Sequence, residues 1–374
     1  MAEVDDDALP ANVKLMDCLS ELDNLLNLHI SQARRDGITG DDLVERIFEL
    51  FGDAAQIDAP IETWIKKQLP KASPGTPGKQ YQADPKKTKY RKTQNAGSSN
   101  FASLIKCNGV LMGGDKVGHF FQLGYRIYHR QNGRNPTFAR EVIEDHSIAA
   151  WRAYKNYDLQ HIPLILDFGA KRILHRKLGL TAPPKFMQKE WNHEKEMGSF
   201  GIRVTGVYSP ADIAANNAGA KFYAALAKLK GGKISLASYI DRSWNESVNC
   251  NKYSTSVGTQ VWENLLLHRD WVFQMDTPAH DRKINAKCKI TKNGNTFDAA
   301  LIILDKPTDG KLSLSPVFKK TIKGLIEGVT LNGSWSYEGE SGQMTITSSR
   351  ECWIKGTWGT GTSDRGGGSC LLFM

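Results

Sequence analysis

The hydrophobic period of this chain changes once, near His268, and that change limits the fold more than any other feature. Before it, apolar residues recur at helical spacing; after it, they alternate. Leu15, Leu19, Leu22, Leu25, Leu26 and Ile30 mark a first helix. Thr39 and Asp41 offer start signals for a second carrying Leu43, Val44, Ile47, Phe48 and Phe51, and a short third helix fits around Trp64 and Ile65. Helical spacing returns from Phe120 to Tyr128, and YSPADIAANNAGAKFYAALAKL opens a helix with Ser209 as N-cap and Pro210 in the first turn. SLASYIDRSW and TQVWENLLLH read as further helix. Beyond His268, KINAKCKITKNGNTFDAALIILD alternates, turns at Asn293-Gly294 and resumes, which is a hairpin signature. FKKTIKGLIEG reads as a short helical patch. Gly333-Ser334-Trp335 and Gly356-Thr357-Trp358 then recur on two strands, as in a small meander or incomplete barrel.

The expected class is therefore α+β and multidomain: a mainly helical central bundle, a small N-terminal helical unit and a C-terminal antiparallel β module. The boundaries read as 1–69 for an acidic helical unit, 70–100 for a basic linker rich in Pro, Gly and Lys, 101–268 for the central helical domain and 269–374 for the β module.

Charge is segregated along the chain. Residues 1–65 hold 15 acidic against 4 basic side chains, whereas residues 66–92 hold 9 basic against Asp84 alone. These two segments can attract each other; the alternative for residues 79–92, where Tyr81 and Tyr90 sit among lysines, is nucleic acid or an anionic surface. MAEVDDDALPANVK lacks the basic and apolar regions of a signal peptide, and no run of about 20 apolar residues occurs. A cytoplasmic protein is expected, with export by a signal-independent route as the alternative. The six cysteines show no metal-binding spacing and are expected as free thiols.

The sharpest feature lies in GGDKVGHFFQLGYRIYHRQ. If it is helical, Asp115 and His119 stand four apart on one face of an otherwise apolar run. Further on, Asp212, Asn216 and Gly219 share a stripe at spacings of four and three. Asp and Asn are poor mid-helix residues because they compete for the backbone. Two such stripes predict a helix pair with a polar face buried between them, Gly219 permitting close approach.

The pattern DKxxHF (Asp115, Lys116, His119, Phe120), an intervening acidic residue, then DxxxNxxG (Asp212, Asn216, Gly219) resembles the VanZ-like proteins and related small bacterial proteins of unknown function. The resemblance covers the polar positions of residues 113–223. It implies a glutamate between the motifs, for which Glu196 in NHEKEMGSFG is the first candidate and Glu144 the second. VanZ-like proteins are membrane-embedded bundles, but WRAYKNYDLQH and KRILHRKL interrupt this region with charge, so a soluble or surface-bound version is implied. No well-established reaction comes with the family.

Three uses fit Asp115, Lys116, His119, Glu196, Asp212 and Asn216. One is hydrolysis of an ester or phosphoester, with His119 as acid or base, Asp115 or Asp212 orienting it, Lys116 stabilising negative charge and Asn216 positioning substrate. A divalent metal on Asp115, His119 and Asp212 is the second. The third is a buried network that fixes helix pairing without chemistry. A non-enzymatic reading stands beside these: a binding or effector-like protein touching a membrane, an envelope component or a protein partner, using the Trp-bearing strands. Glu144, Asp145, His146 and His161 are weaker candidates, and His175, His193 and His280 read as surface residues. No G-x-S-x-G elbow, HExxH or Walker sequence occurs.

Overall fold

A computed structural model describes residues 8–53, 59–93, 101–132, 188–198, 201–268, 271–277, 282–303, 309–321, 324–337, 340–350, 353–360, 363 and 368–373. The class is mixed α+β. Helices α1 (Leu19–Arg35), α2 (Gly40–Phe51) and α3 (Pro60–Gln68) come first, followed by strands β1 (Gln80–Tyr81), β2 (Leu104–Cys107) and β3 (Val110–Gly113). Helix α4 (Asp115–Gln131) leaves β3 through Gly114, whose N–H donates to Ser103 O at 2.7 Å. Helix α5 spans Gln188–Met197, β4 Val207–Tyr208, α6 Pro210–Ala227, β5 Lys252–Tyr253 and α7 Thr255–His268. SLASYIDRSW, expected as helix, forms only two 3-10 turns, Leu236–Ser238 and Arg242–Trp244. Ser235 and Asp241 cap them with their own side chains.

One apolar core joins α1, α2 and α3 to β2, β3, α4 and α6, through residues such as Leu26, Ile47, Phe51, Ile65, Met112, Phe121, Phe222 and Trp244. Helices α4 and α6 make the most extensive helix–helix contact among the described residues. Their approach depends on two glycines. A Cβ on Gly124 would lie 2.5 Å from Gly219 Cα, and a Cβ on Gly219 would run into the carbonyl oxygen of Phe120. The backbones therefore touch, as the stripe ending in Gly219 predicts. Tyr223 Oη donates to Phe121 O at 2.9 Å and fixes the register.

Over residues 70–93 the expected extended linker is packed chain. Strand β1 pairs with β2, and Gln80 Nε2 donates to Lys66 O and Leu69 O at 2.9 and 2.7 Å. Tyr90 is 1% exposed, and Asn264 of α7 donates to the carbonyls of Lys89 and Arg91. A linker-like composition is overridden here by three apolar anchors, Ala72, Ala83 and Tyr90, and by partners far away in sequence. Lys79 pairs with Glu21, Lys89 is buried over the rings of Tyr90 and Tyr253, and Arg91 Nε reaches Asn264 Oδ1. Lys86, Lys87 and Lys92 stay exposed, so the strap offers solvent fewer cations than its sequence suggests.

The C-terminal strands are β6 (Trp271–Thr277), β7 (Arg282–Asn293), β8 (Thr296–Ile303), β9 (Asp309–Lys320), β10 (Ile326–Tyr337), β11 (Glu340–Arg350), β12 (Trp353–Thr360) and β13 (Gly368–Phe373). Each pairs antiparallel with the next, and β13 pairs back onto β6, with Cys370 opposite Met275 and Phe373 opposite Val272. The eight strands thus close as an up-and-down barrel, which leaves no open edge among them. Strands β4 and β5 extend from β10 through the pair Ile326 and Tyr253. The hairpin at Asn293-Gly294 forms as expected, with Gly294 at φ 59°. FKKTIKGLIEG is not helical: its described residues continue β9, turn at Gly324 (φ 77°) and begin β10.

Burial alternates along the barrel strands. Cys288, Ile290, Phe297, Ala299, Leu312, Leu314, Val329, Leu331, Trp335, Met344 and Ile346 are buried in a second core, while Lys287, Lys289, Lys311, Ser315, Asn332, Ser334 and Thr347 are exposed. Helix α7 joins this core with Val261, Leu265 and Leu266, whose last two carbonyls accept the Trp271 indole N–H. Trp335 is 4% exposed and belongs to the core, which removes it as a binding aromatic; the Trp358 side chain lies outside the described residues.

Candidate functional site

Glycine, not Asp115, caps α4, so the Asp115 carboxylate is not spent on the helix end. It turns instead to its neighbour, and Oδ2 accepts from Lys116 Nζ at 2.9 Å. Lys116 is 0% exposed. Its ammonium also meets Asp212 Oδ1 at 2.7 Å and Glu246 Oε1. An ammonium has three N–H donors, and three carboxylates stand around this one. Its expected role as a donor to developing charge on a substrate does not survive that geometry. Nor does Asp115 orient His119, although the two stand on one helical face; its partner is Lys116.

His119 is the group through which this buried cluster approaches the surface, at 12% side-chain exposure. Its Nε2 lies 3.2 Å from Asp212 Oδ2, and its Nδ1 lies 3.2 Å from Asn216 Oδ1. Asp212 is placed by the start of α6, where the Ser209 hydroxyl accepts the Asp212 N–H at 3.2 Å, a side-chain N-cap with Pro210 at N1. Glu196 of α5 reaches the same point, its Oε1 accepting the Ser209 N–H at 2.9 Å. The sequence stripes thus meet as expected: His119, Glu196, Asp212 and Asn216 converge between α4, α5 and α6.

Two residues that sequence reasoning missed complete the arrangement. Asn192 Nδ2 donates to Asn217 Oδ1 at 2.7 Å, and Asn192 Oδ1 accepts from Asn216 Nδ2 at 3.3 Å. This chain of amides turns the Asn216 oxygen towards His119 Nδ1, an arrangement that suits an Nδ1–H donor, while Nε2 faces Asp212. Asn216 accordingly positions the imidazole and not a substrate. Asn192 and Glu196 stand four apart on α5, a signal of the same kind as the two stripes. Glu246 follows a 3-10 turn and carries no periodic signal. Its Oε2 accepts from Asn251 Nδ2 at 2.9 Å, and Asn251 Nδ2 also reaches the Tyr90 hydroxyl at 3.2 Å, tying the basic strap to the cluster.

Two ligand sets result, and Asp212 belongs to each. Donor atoms of His119, Glu196 and Asp212 lie within 4.8 Å of one another, as do those of Asp115, Asp212 and Glu246. The three-residue metal set expected from sequence, Asp115 with His119 and Asp212, is thus divided: Asp115 stands on the Lys116 side and Glu196 takes its place beside the imidazole. Tetrahedral ligands about 2.1 Å from a metal stand about 3.4 Å apart, close to the His119–Asp212 separation. Among the described residues, the four carboxylates Asp115, Glu196, Asp212 and Glu246 are at most 3% exposed, and the Lys116 ammonium meets three of them, Asp115, Asp212 and Glu246. Buried carboxylates are costly unless cations, protons or hydrogen-bond donors face them.

His193 is not a bare surface residue: its Nδ1 lies 3.0 Å from the Tyr208 hydroxyl. Burial pushes the Tyr208 phenol up to about 12, and the charge of Glu196 adds to the effect. A phenol whose folded pKa lies above its unfolded value of about 10 stabilises the fold below that pH and loses the contribution as pH rises towards about 12. Tyr208→Phe is therefore expected to lose less stability than the parent between those two values. Melting curves across that range check this, and parallel losses would refute it.

Glu144, Asp145, His146, His161, His175 and His280 lie outside the described residues. No described helix is long and apolar enough to cross a membrane. Searches against protein-family models, curated proteins and solved structures found no match.

Proposed function

We propose that this chain hydrolyses ester or phosphoester bonds through a divalent cation held by His119, Glu196 and Asp212. The observation that carries the reading is the convergence of one imidazole and two buried carboxylates at metal-ligand spacing, with the imidazole oriented from behind by Asn216. Outer amides that fix a ligand's tautomer are characteristic of metal sites. When bound, the cation would acidify a water and draw charge from the bond under attack.

The protein groups supply the rest. Ser209 holds Glu196 through Oε1, which keeps that carboxylate beside His119 and Asp212, where it would help hold the cation. The attacking water gives up a proton to solvent as its oxygen bonds to the acyl carbon or phosphorus. The bond to the leaving oxygen then breaks, and that oxygen takes a proton from solvent. Asp212 faces Lys116 through Oδ1 and His119 through Oδ2, and Lys116 offsets part of the buried charge without touching substrate.

The test uses the purified full chain with p-nitrophenyl phosphate and p-nitrophenyl acetate, with and without Mn2+ or Zn2+. Cation-dependent turnover is expected, reduced by about 100-fold or more in Glu196→Gln and His119→Ala. Turnover of neither ester in any cation, or turnover that both variants retain, would overturn the reading.

The alternative is a non-enzymatic binding or effector-like protein, with a peripheral membrane, envelope or protein partner, in which the cluster is structural. The saturation of Lys116 by three carboxylates favours it, since such a network fixes how α4, α6 and the Arg242–Trp244 segment pair. In that case His119→Ala would lower the melting temperature equally in chelator and in Mn2+.

A further inference from the structure

The two ligand sets are not independent, because one carboxylate serves them both. Asp212 Oδ1 lies 2.7 Å from Lys116 Nζ, and Asp212 Oδ2 lies 3.2 Å from His119 Nε2. A carboxylate spread over two neighbouring cation positions is the frame of a two-metal hydrolytic centre, whose ions stand about 3.5–4 Å apart. Here one position is taken by the chain itself.

We infer that Lys116 is the resident second cation of the centre: its ammonium fills a position that Asp115, Asp212 and Glu246 would otherwise offer to a divalent ion. Three facts support this. The donor atoms of those carboxylates lie within 4.8 Å of one another. The ammonium sits among all three and is fully buried, so it neither exchanges with solvent nor reaches a substrate. The carboxylates come from three separate segments, α4, α6 and the stretch after the Arg242–Trp244 turn, so the cage is built by the fold and not by one run of acidic residues.

Lys116 is then a positioning residue. It holds Asp212 with one oxygen turned away from the imidazole and the other towards it, and it supplies one permanent positive charge. The centre consequently takes up one exchangeable ion per chain. A tethered monovalent cation also leaves the site more negative than a second divalent ion would, which favours a divalent ion at His119, Glu196 and Asp212.

This inference rests on the metal reading of the His119 side, and stoichiometry separates the two. Equilibrium dialysis of the full chain with Mn2+, with EPR to detect paired ions, is expected to give one Mn2+ for the parent and two, spin-coupled, for Lys116→Ala. No Mn2+ in the parent but one in Lys116→Ala would keep Lys116 as resident cation and remove the proposed metal at His119. Equal stoichiometry in parent and variant would overturn the inference. If Lys116→Ala stays unfolded even in Mn2+, the double variant Lys116→Ala, Asp115→Asn carries the test. It has one negative charge fewer, and it keeps Asp212 and Glu246 with an amide oxygen as third ligand. Failure of this variant to bind one Mn2+ more than the parent, whether folded or not, counts against the inference.

Discussion

Asp212→Asn is expected to be nearly neutral for stability in chelator and clearly destabilising once a divalent cation is added. In chelator, Asp115, Asp212 and Glu246 crowd around the Lys116 ammonium, and removing one charge relieves part of their mutual repulsion. It also weakens the Asp212–Lys116 pair at 2.7 Å, a loss that reaches about 3–5 kcal/mol where a buried ion is left uncompensated. Lys116 is not left so, because Asp115 and Glu246 remain. The relief and the loss should therefore nearly cancel, and the variant should melt within a few degrees of the parent. With Mn2+ at about 100 times its dissociation constant, the parent gains about 2.7 kcal/mol from binding. The variant lacks the shared carboxylate and gains almost nothing. Melting curves with EDTA and with Mn2+ read both states. A deficit of the same size in each would show that no cation is bound through Asp212, and a large deficit unchanged by Mn2+ would mark the cluster as purely structural.

What the sequence displays of this site follows from where each residue sits. Asp115 and His119, and Asp212 and Asn216, lie on regular helices, where a spacing of four translates directly into a shared face. The N-cap at Ser209 was legible because its hydroxyl acts locally, three residues from the N–H it accepts. Glu196 and Asn192 carry the same four-residue signal on α5, but their helix is strongly polar and lacks an apolar stripe to frame it. Glu246 could not be read at all: it lies in an irregular segment, and only the tertiary fold brings it to Lys116. The role of Lys116 was obscured for a related reason. A lysine in the first turn of a helix is usually solvated, and nothing local reveals that three carboxylates enclose it.

The barrel divides in the same way. The Asn293-Gly294 hairpin announces itself through turn chemistry, whereas closure depends on pairing β13 with β6, almost a hundred residues apart in sequence, and no local pattern encodes that. FKKTIKGLIEG misleads because its apolar spacing imitates a helical turn. Gly324 at positive φ reverses the chain there, and the flanking residues join the ladder between β9 and β10. Composition alone likewise hid the packing of residues 70–93, whose anchors are single residues among prolines and lysines.

Gly219→Ala tests the geometry that makes the site possible. Helix propensity alone favours alanine over glycine by about 1 kcal/mol. Against it stands the added Cβ, which would meet the Phe120 carbonyl and lie 2.9 Å from Gly124 Cα. Those are backbone atoms of a hydrogen-bonded helix and cannot rotate away as a side-chain tip can. Overpacking against such atoms falls at the upper end of the usual cost, about 3 kcal/mol, so a net loss of about 2 kcal/mol is expected. Relief comes only by moving α4 away from α6, and the same movement lengthens the contacts of His119 with Asp212 and Asn216. The variant should thus lose cation binding out of proportion to its stability. Gly231→Ala is the control, since a Cβ there meets nothing within 4 Å. Denaturant midpoints and Mn2+ dialysis on both variants decide the matter: if Gly219→Ala is as stable as Gly231→Ala, the close crossing of α4 and α6 is not what places the site.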